Sequence, residues 1–167
     1  MRVDATSYQD ATRQMIQWAR SSQSRSVCVA AVNNVMEAHD DAGYMRVMNQ
    51  ADLVTPDGMP LVWGLRWLGV ETATRVYGPD LMPSVLEAAE REGIAVGFYG
   101  GAPNVLEALV TEARRRWPNL KIAYVHSPPF RDLTSDEDGQ VVRAIDASGV
   151  KILFVGLGCP RQETWMA

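Results

Sequence analysis

The sequence predicts an α/β protein: a Rossmann-like, mostly parallel sheet with helices on both faces. Three observations predict it. Five short apolar runs have strand length, segments with apolar residues every three or four positions lie between them, and glycine or proline marks most junctions. Strands alternating with helices of this length form parallel sheets, which need cover on both sides.

The strand-like runs are SVCVAAV (26–32), ADLVT (51–55), IAVGFYG (94–100), LKIAYVH (120–126) and VKILFVGLG (150–158). Before the first run, Ala11, Met15 and Trp18 form the stripe of a short amphipathic helix. Between the first two runs, Val35, Ala38, Ala42, Met45 and Met48 make one helical face, interrupted only by Gly43. The interval between the second and third runs is longer than one crossover and contains RVYGPDLM (75–82), followed by the stripe Leu81, Val85, Leu86 and Ala89. After Gly100, Pro103 occupies a first-turn position ahead of Leu106, Leu109, Val110, Ala113 and Trp117. TSDE, Thr134 to Glu137, reads as a capping box opening a helix that stops at Gly149.

With 167 residues, 47% of them apolar and 22% charged, the chain is long enough for one ordinary globular domain with its own core. A net charge of -4 and scattered Lys and Arg argue against a nucleic-acid surface, and the cluster Arg114, Arg115 and Arg116 reads as a solvated helix face. Cys28 and Cys159 lack metal or redox spacing and read as small apolar residues in a reducing compartment. The first residues carry no secretory signal, and no stretch reaches the length of a membrane span, so a cytoplasmic location is expected.

Open parallel sheets bind ligands beyond the carboxyl ends of their strands, which singles out Thr55–Gly58, Gly100–Pro103 and Gly156–Gln162. Asp57 is the only acidic residue in LVTPDGMPLVWG; it reads either as a cap for the next helix or as a catalytic carboxylate at the sheet mouth. FYGGAP and FVGLGCPRQE place glycines between strand and helix, where amides can approach phosphate, but neither completes a dinucleotide fingerprint. In RVYGPDLM, Asp80 reads as a helix cap, and Arg75 as a surface residue or a fork for phosphate or carboxylate. His39 and His126 are isolated.

In this order and spacing, ADLVTPDGMPLVWGLRWLG, RVYGPDLM, GFYGGAP and ILFVGLGCPRQETWMA resemble the bacterial TagA/WecG/CpsF glycosyltransferase family, from about Arg2 to the last residue. The resemblance implies an inverting transferase that moves N-acetylmannosamine or a related sugar from a UDP donor to a polyprenyl-diphosphate-linked sugar in cell-surface polysaccharide or teichoic-acid synthesis. It implies Asp57 as general base. Gln162 matches a glutamine near the donor nucleotide, and Arg75, Gly78 and Asp80 match a block bordering the same pocket. Thr55 and Arg161 fall in the same blocks, and Gly100, Gly101, Gly156 and Gly158 would let amides line the sugar nucleotide. The family lacks the D-x-D pair that carries a metal in many transferases, so neither metal nor cofactor is expected.

Two departures accompany the resemblance. Val29, Ala31 and Asn33 stand where the family often has Thr-x-Asn, and Asn33 or Asn34 either substitutes in substrate contact or caps the next helix. Family members also continue for several dozen residues with a basic appendage thought to touch the membrane. The expectation is therefore a single core domain over 1–167 lacking that C-terminal segment. Apolar surface exposed by its loss would favour a homo-oligomer. The full-length form is expected at the inner face of the cell membrane. The competing readings are a nucleotide-sugar or dinucleotide-dependent oxidoreductase or epimerase, and a catalytically silent UDP-binding module.

Overall fold

The computed structural model describes residues 1–167: eight helices and five strands in two compact units. The first unit, Met1–Val85 with Gly158–Ala167, holds α1 (Tyr8–Arg20), β1 (Val27–Ala30), α2 (Val32–Asp40), α3 (Ala42–Gln50), β2 (Leu53–Pro56), α4 (Met59–Trp67) and α8 (Arg161–Met166). The chain passes to the second unit, Leu86–Leu157, within α5 (Gly78–Glu92). That unit continues with β3 (Val96–Gly100), α6 (Pro103–Arg116), β4 (Ile122–His126), α7 (Ser135–Ser148) and β5 (Ile152–Gly156).

All five predicted strands form, and every pairing is parallel. β1 pairs with β2 from Val27 opposite Leu53 to Ala30 opposite Pro56. β3 lies between β4 and β5. The strands thus divide into a two-stranded and a three-stranded sheet, one in each unit, where the sequence reads as one domain. Every residue of β2 and β3 is buried, which explains their continuous apolar character.

The first unit's core joins Cys28 and Ala30 of β1 to Ala38 of α2, Tyr44 and Met48 of α3, Ala51 and Val54. The helix expected to run from Val35 to Met48 is two helices, and the break lies at Asp41 instead of Gly43. Asp41 adopts extended angles, and its Oδ1 accepts from the amides of Gly43 at 2.6 Å and Tyr44 at 3.2 Å. A Cβ on residue 43 would stand 2.9 Å from that oxygen, so glycine permits the cap to close. In α1 the buried positions are Ala11, Ile16 and Ala19, and Met15 and Trp18 of the expected stripe are half-buried beside them.

In the second unit, Phe98 of β3 stacks on Phe154 of β5 with ring centroids 5.6 Å apart, while α6 buries Leu106, Val110 and Ala113. The predicted capping box opens α7: Thr134 Oγ1 accepts from the Glu137 amide at 3.3 Å, and Glu137 Oε2 accepts from the Thr134 amide at 2.9 Å. Gly149 ends the helix in the left-handed region at φ 71°. Arg131 and the Thr134 amide hold the Glu137 carboxyl down at about 2, against an ordinary value of 4.5. A folded-state value below the unfolded one means stabilisation that is complete above about pH 4.5 and lost as pH falls toward 2. Thr134→Ala is expected to cost about 1 kcal/mol at neutral pH, read from urea unfolding, and to leave a smaller difference from wild type near pH 2.

Candidate active site

Asp57 follows the last residue of β2, and its amide donates to the Ala30 carbonyl of β1 at 2.9 Å. It therefore stands at the carboxyl end of the paired strands, where an open parallel sheet presents ligand-binding loops. The N-cap of α4 is Gly58, which makes no side-chain cap bond. The Asp57 carboxylate turns instead to the segment before α5. Its Oδ1 accepts from Arg75 Nη2 at 3.2 Å, its Oδ2 from the Gly78 amide at 3.5 Å, and Arg75 Nε also donates to the Asp57 carbonyl. Arg75 lies over the Tyr77 ring, 4.2 Å from its centroid, and so is braced from a second side. With its side chain 18% exposed, Asp57 keeps lone pairs on both oxygens beyond those two contacts.

Several predicted ligand residues have roles within the first unit. Thr55 is fully buried and its hydroxyl donates to the Val76 carbonyl at 3.4 Å, so it anchors the strand to the Arg75–Gly78 segment and offers nothing to a ligand. Asp80 Oδ2 accepts from the Tyr8 hydroxyl at 3.3 Å, which in turn accepts from the Tyr77 amide at 3.0 Å. Tyr8 thereby secures the turn that carries Arg75 and Gly78. Asn33 is exposed, whereas Asn34 is buried and caps the turn after β1 by accepting from the Ala31 amide at 2.9 Å.

Gly158, Arg161 and Gln162 lie in the same unit, at the start of α8. Gly158 adopts φ 83°, and its amide donates to Gln162 Oε1 at 3.1 Å. Gln162 Nε2 donates to Glu163 Oε1 at 2.8 Å. Asn34 Nδ2 lies 2.7 Å from the Tyr44 hydroxyl and 3.4 Å from both Cys159 Sγ and Glu163 Oε1. Cys159 is therefore part of a polar cluster and not simply an apolar filler. Burial pushes the Cys159 thiol up, and burial with the nearby Glu163 charge pushes Cys28 to about 12, so both remain thiols at neutral pH. A cavity of about 130 Å³ lined by Ser26, Cys28, Ala51 and Glu163 opens at the amino-terminal side of β1 and β2, away from Asp57.

In the second unit, Gly100 and Gly156 are register partners at the carboxyl ends of β3 and β5. The Gly101 amide donates to the Gly156 carbonyl at 3.0 Å, and the Gly101 carbonyl accepts from the Ser127 hydroxyl at 2.6 Å. A Cβ on Gly100 would come 2.4 Å from the Gly156 oxygen, and φ there is 115°. That close approach by itself requires glycine. Asp57, Arg75 and Gly78 are thus brought together, and Gly158 and Gln162 meet through a hydrogen bond. Asn34 takes the capping alternative expected of it, whereas Glu163, Tyr8 and Tyr77 were not expected, although Glu163 stands beside Gln162 and Tyr77 beside Gly78 in motifs already singled out.

The family model described as "Glycosyl transferase WecG/TagA/CpsF family" matches residues 1–167, and the chain belongs to that family. It is similar to an N-acetylglucosaminyldiphosphoundecaprenol N-acetyl-beta-D-mannosaminyltransferase of Bacillus spizizenii, 32% identical over 127 residues, covering 76% of this chain and 48% of the relative. A Staphylococcus aureus protein of the same name is 32% identical over 123 residues, covering 74% of this chain and 46% of the relative. The chain thus matches just under half the length of each of these relatives.

Proposed function

From that membership, we propose that these residues form the core of an inverting transferase that moves N-acetylmannosamine or a related sugar from a UDP donor to a polyprenyl-diphosphate-linked sugar. The observation that carries the reading is the Asp57 carboxylate: it sits at a strand end, does not cap the helix that follows, and is held by Arg75 and Gly78. A carboxylate so held can take the proton of the acceptor hydroxyl as that oxygen attacks the anomeric carbon and UDP departs. The reading assigns no resident metal or cofactor. Cationic donors would meet the charge that develops on the departing diphosphate, with Arg75 and Arg161 of the first unit as candidates. Thermal unfolding tests the donor class: UDP is expected to raise the midpoint and NAD to leave it unchanged. Protection by NAD alone would replace this reading with a dinucleotide-dependent one, and protection by neither would remove the nucleotide site.

The acceptor side is supported by α4, which begins two residues after Asp57. Met59, Trp63 and Trp67 recur at four-residue spacing on one face, with Trp63 61% and Trp67 89% exposed, and Leu68 follows at 76%. Tryptophans of this kind suit the boundary between water and lipid, where a polyprenyl chain would leave a site at the inner membrane face. No helix is long and apolar enough to cross a membrane. Replacing Trp63 and Trp67 together by Gln is expected to weaken sedimentation with lipid vesicles about a hundredfold or more, since burying each large apolar side chain contributes on the order of 1.5 to 3 kcal/mol. Unchanged sedimentation would detach α4 from the acceptor side.

A further inference from the structure

Glu163 is 2% exposed, yet it joins the two segments that flank the proposed ligand loops of the first unit. Its Oε1 accepts from Gln162 Nε2 at 2.8 Å and faces Asn34 Nδ2 at 3.4 Å. The same Asn34 side chain accepts from the Ala31 amide, one residue beyond the carbonyl that receives the Asp57 amide. The other carboxylate oxygen, Oε2, is buried and has no protein partner. A buried acid kept with one oxygen unmatched is costly to folding, so its two hydrogen bonds on the other oxygen call for a reason beyond packing.

Donor and acceptor accounting supplies that reason. Gln162 Oε1 meets the Gly158 amide, which only donates, and Gln162 Nε2 meets a carboxylate oxygen, which only accepts. A flipped carboxamide would set oxygen against oxygen at one end and N–H against N–H at the other. Only one orientation satisfies both ends. It leaves a second lone pair on Oε1 and a second hydrogen on Nε2, an acceptor and a donor side by side for a ligand.

We propose that Glu163 is a positioning residue: it fixes the Gln162 carboxamide in a single orientation and, through Asn34, ties it to the turn after β1, so that Gln162 meets the donor nucleotide already oriented. The role of Gln162 in this statement rests on the UDP-sugar reading above. Glu163 itself touches no substrate. Preorganisation of this kind acts on binding, because a carboxamide free to flip must be ordered when the ligand arrives.

The test uses Glu163→Leu, Glu163→Gln, Gln162→Ala and Met48→Ala in the 167-residue chain, with circular dichroism to establish folding, 15N NMR of the Gln162 side-chain amide, and calorimetry with UDP. Met48 is fully buried in the same core and makes none of these hydrogen bonds, so Met48→Ala reports simple loss of stability. Glu163→Leu is expected to remove the downfield shift of the bonded Gln162 amide proton and to weaken UDP binding about tenfold, as Gln162→Ala does, for loss of one oriented hydrogen-bonding group. Glu163→Gln keeps a carbonyl oxygen and is expected to restore both signals, while Met48→Ala lowers the melting temperature and moves neither. An unmoved Gln162 amide in folded Glu163→Leu overturns the proposal. So does a loss of UDP affinity in Glu163→Leu that Gln162→Ala fails to reproduce. If the amide responds as expected but wild-type protein does not bind UDP, the orienting role stands and the UDP reading falls.

Discussion

Asp57→Asn is expected to lower kcat by about 10²- to 10⁴-fold while leaving the affinity for UDP-sugar within a few fold, the loss typical of removing a general base. Asparagine keeps the shape of the side chain and an oxygen for Arg75 Nη2, which lies 3.2 Å from Oδ1 in the wild type. Its amide nitrogen would face the Gly78 amide in place of Oδ2, but that contact is already long at 3.5 Å. What disappears is the ability to accept a proton. Folding should change little, because the Asp57 side chain does not cap α4 and its backbone amide still reaches Ala30. Single-turnover rates separate the effect from donor binding. Turnover equal to wild type would leave Asp57 as a residue that merely braces Arg75.

Gly100→Ala is expected to be the most damaging single-methyl change for stability, about 3 kcal/mol or more. Two costs add at this residue. The new Cβ would lie 2.4 Å from the Gly156 oxygen, far inside contact distance, and the obstruction is backbone that cannot swing aside. The backbone there also holds φ 115°, outside the range open to alanine. Gly101→Ala separates the terms: its φ of 76° is strained for alanine, but nothing stands within 4 Å of the added atom, so about 1 kcal/mol is expected. Chemical unfolding of the two variants gives the comparison. Equal costs would show that conformational strain, and not the approach of β3 to β5, fixes glycine at position 100.

The five strands were legible because each is a short apolar run between punctuating residues, a signal that depends only on burial. α7 was legible to the residue, since Thr134, Glu137 and Gly149 each perform a local chemical task at a helix end. The break at Asp41 was not, because the apolar spacing of Val35, Ala38, Met45 and Met48 continues through it, and only the carboxylate's local bonds to Gly43 and Tyr44 interrupt the helix. Nor did alternation of strand and helix reveal where pairing stops. A strand pattern records burial of its faces and carries no statement about which edge finds a partner, so the division into two sheets had no sequence counterpart.

For the site, Asp57 and Arg75 stood out as charges in apolar or glycine-bearing blocks, and the fold brings them together. Thr55 matched the same block, but its hydroxyl is used by the Val76 carbonyl, a partner 21 residues away that the block does not reveal. Glu163 was hidden for a similar reason. A charged residue in the first turn of a short helix reads as solvated, and its partner Asn34 is 129 residues away in the chain.

The central claim is a single displacement at the anomeric carbon with Asp57 receiving the proton, and the anomeric configuration of the product tests it most directly. NMR of the glycan formed from an α-linked UDP-N-acetylmannosamine donor and a soluble polyprenyl-diphosphate N-acetylglucosamine acceptor, made by the protein carrying these residues, is predicted to show only the β-linked product. An α-linked product would contradict the account, because retention requires a second displacement or a front-side route in which Asp57 does not serve as the acceptor's base.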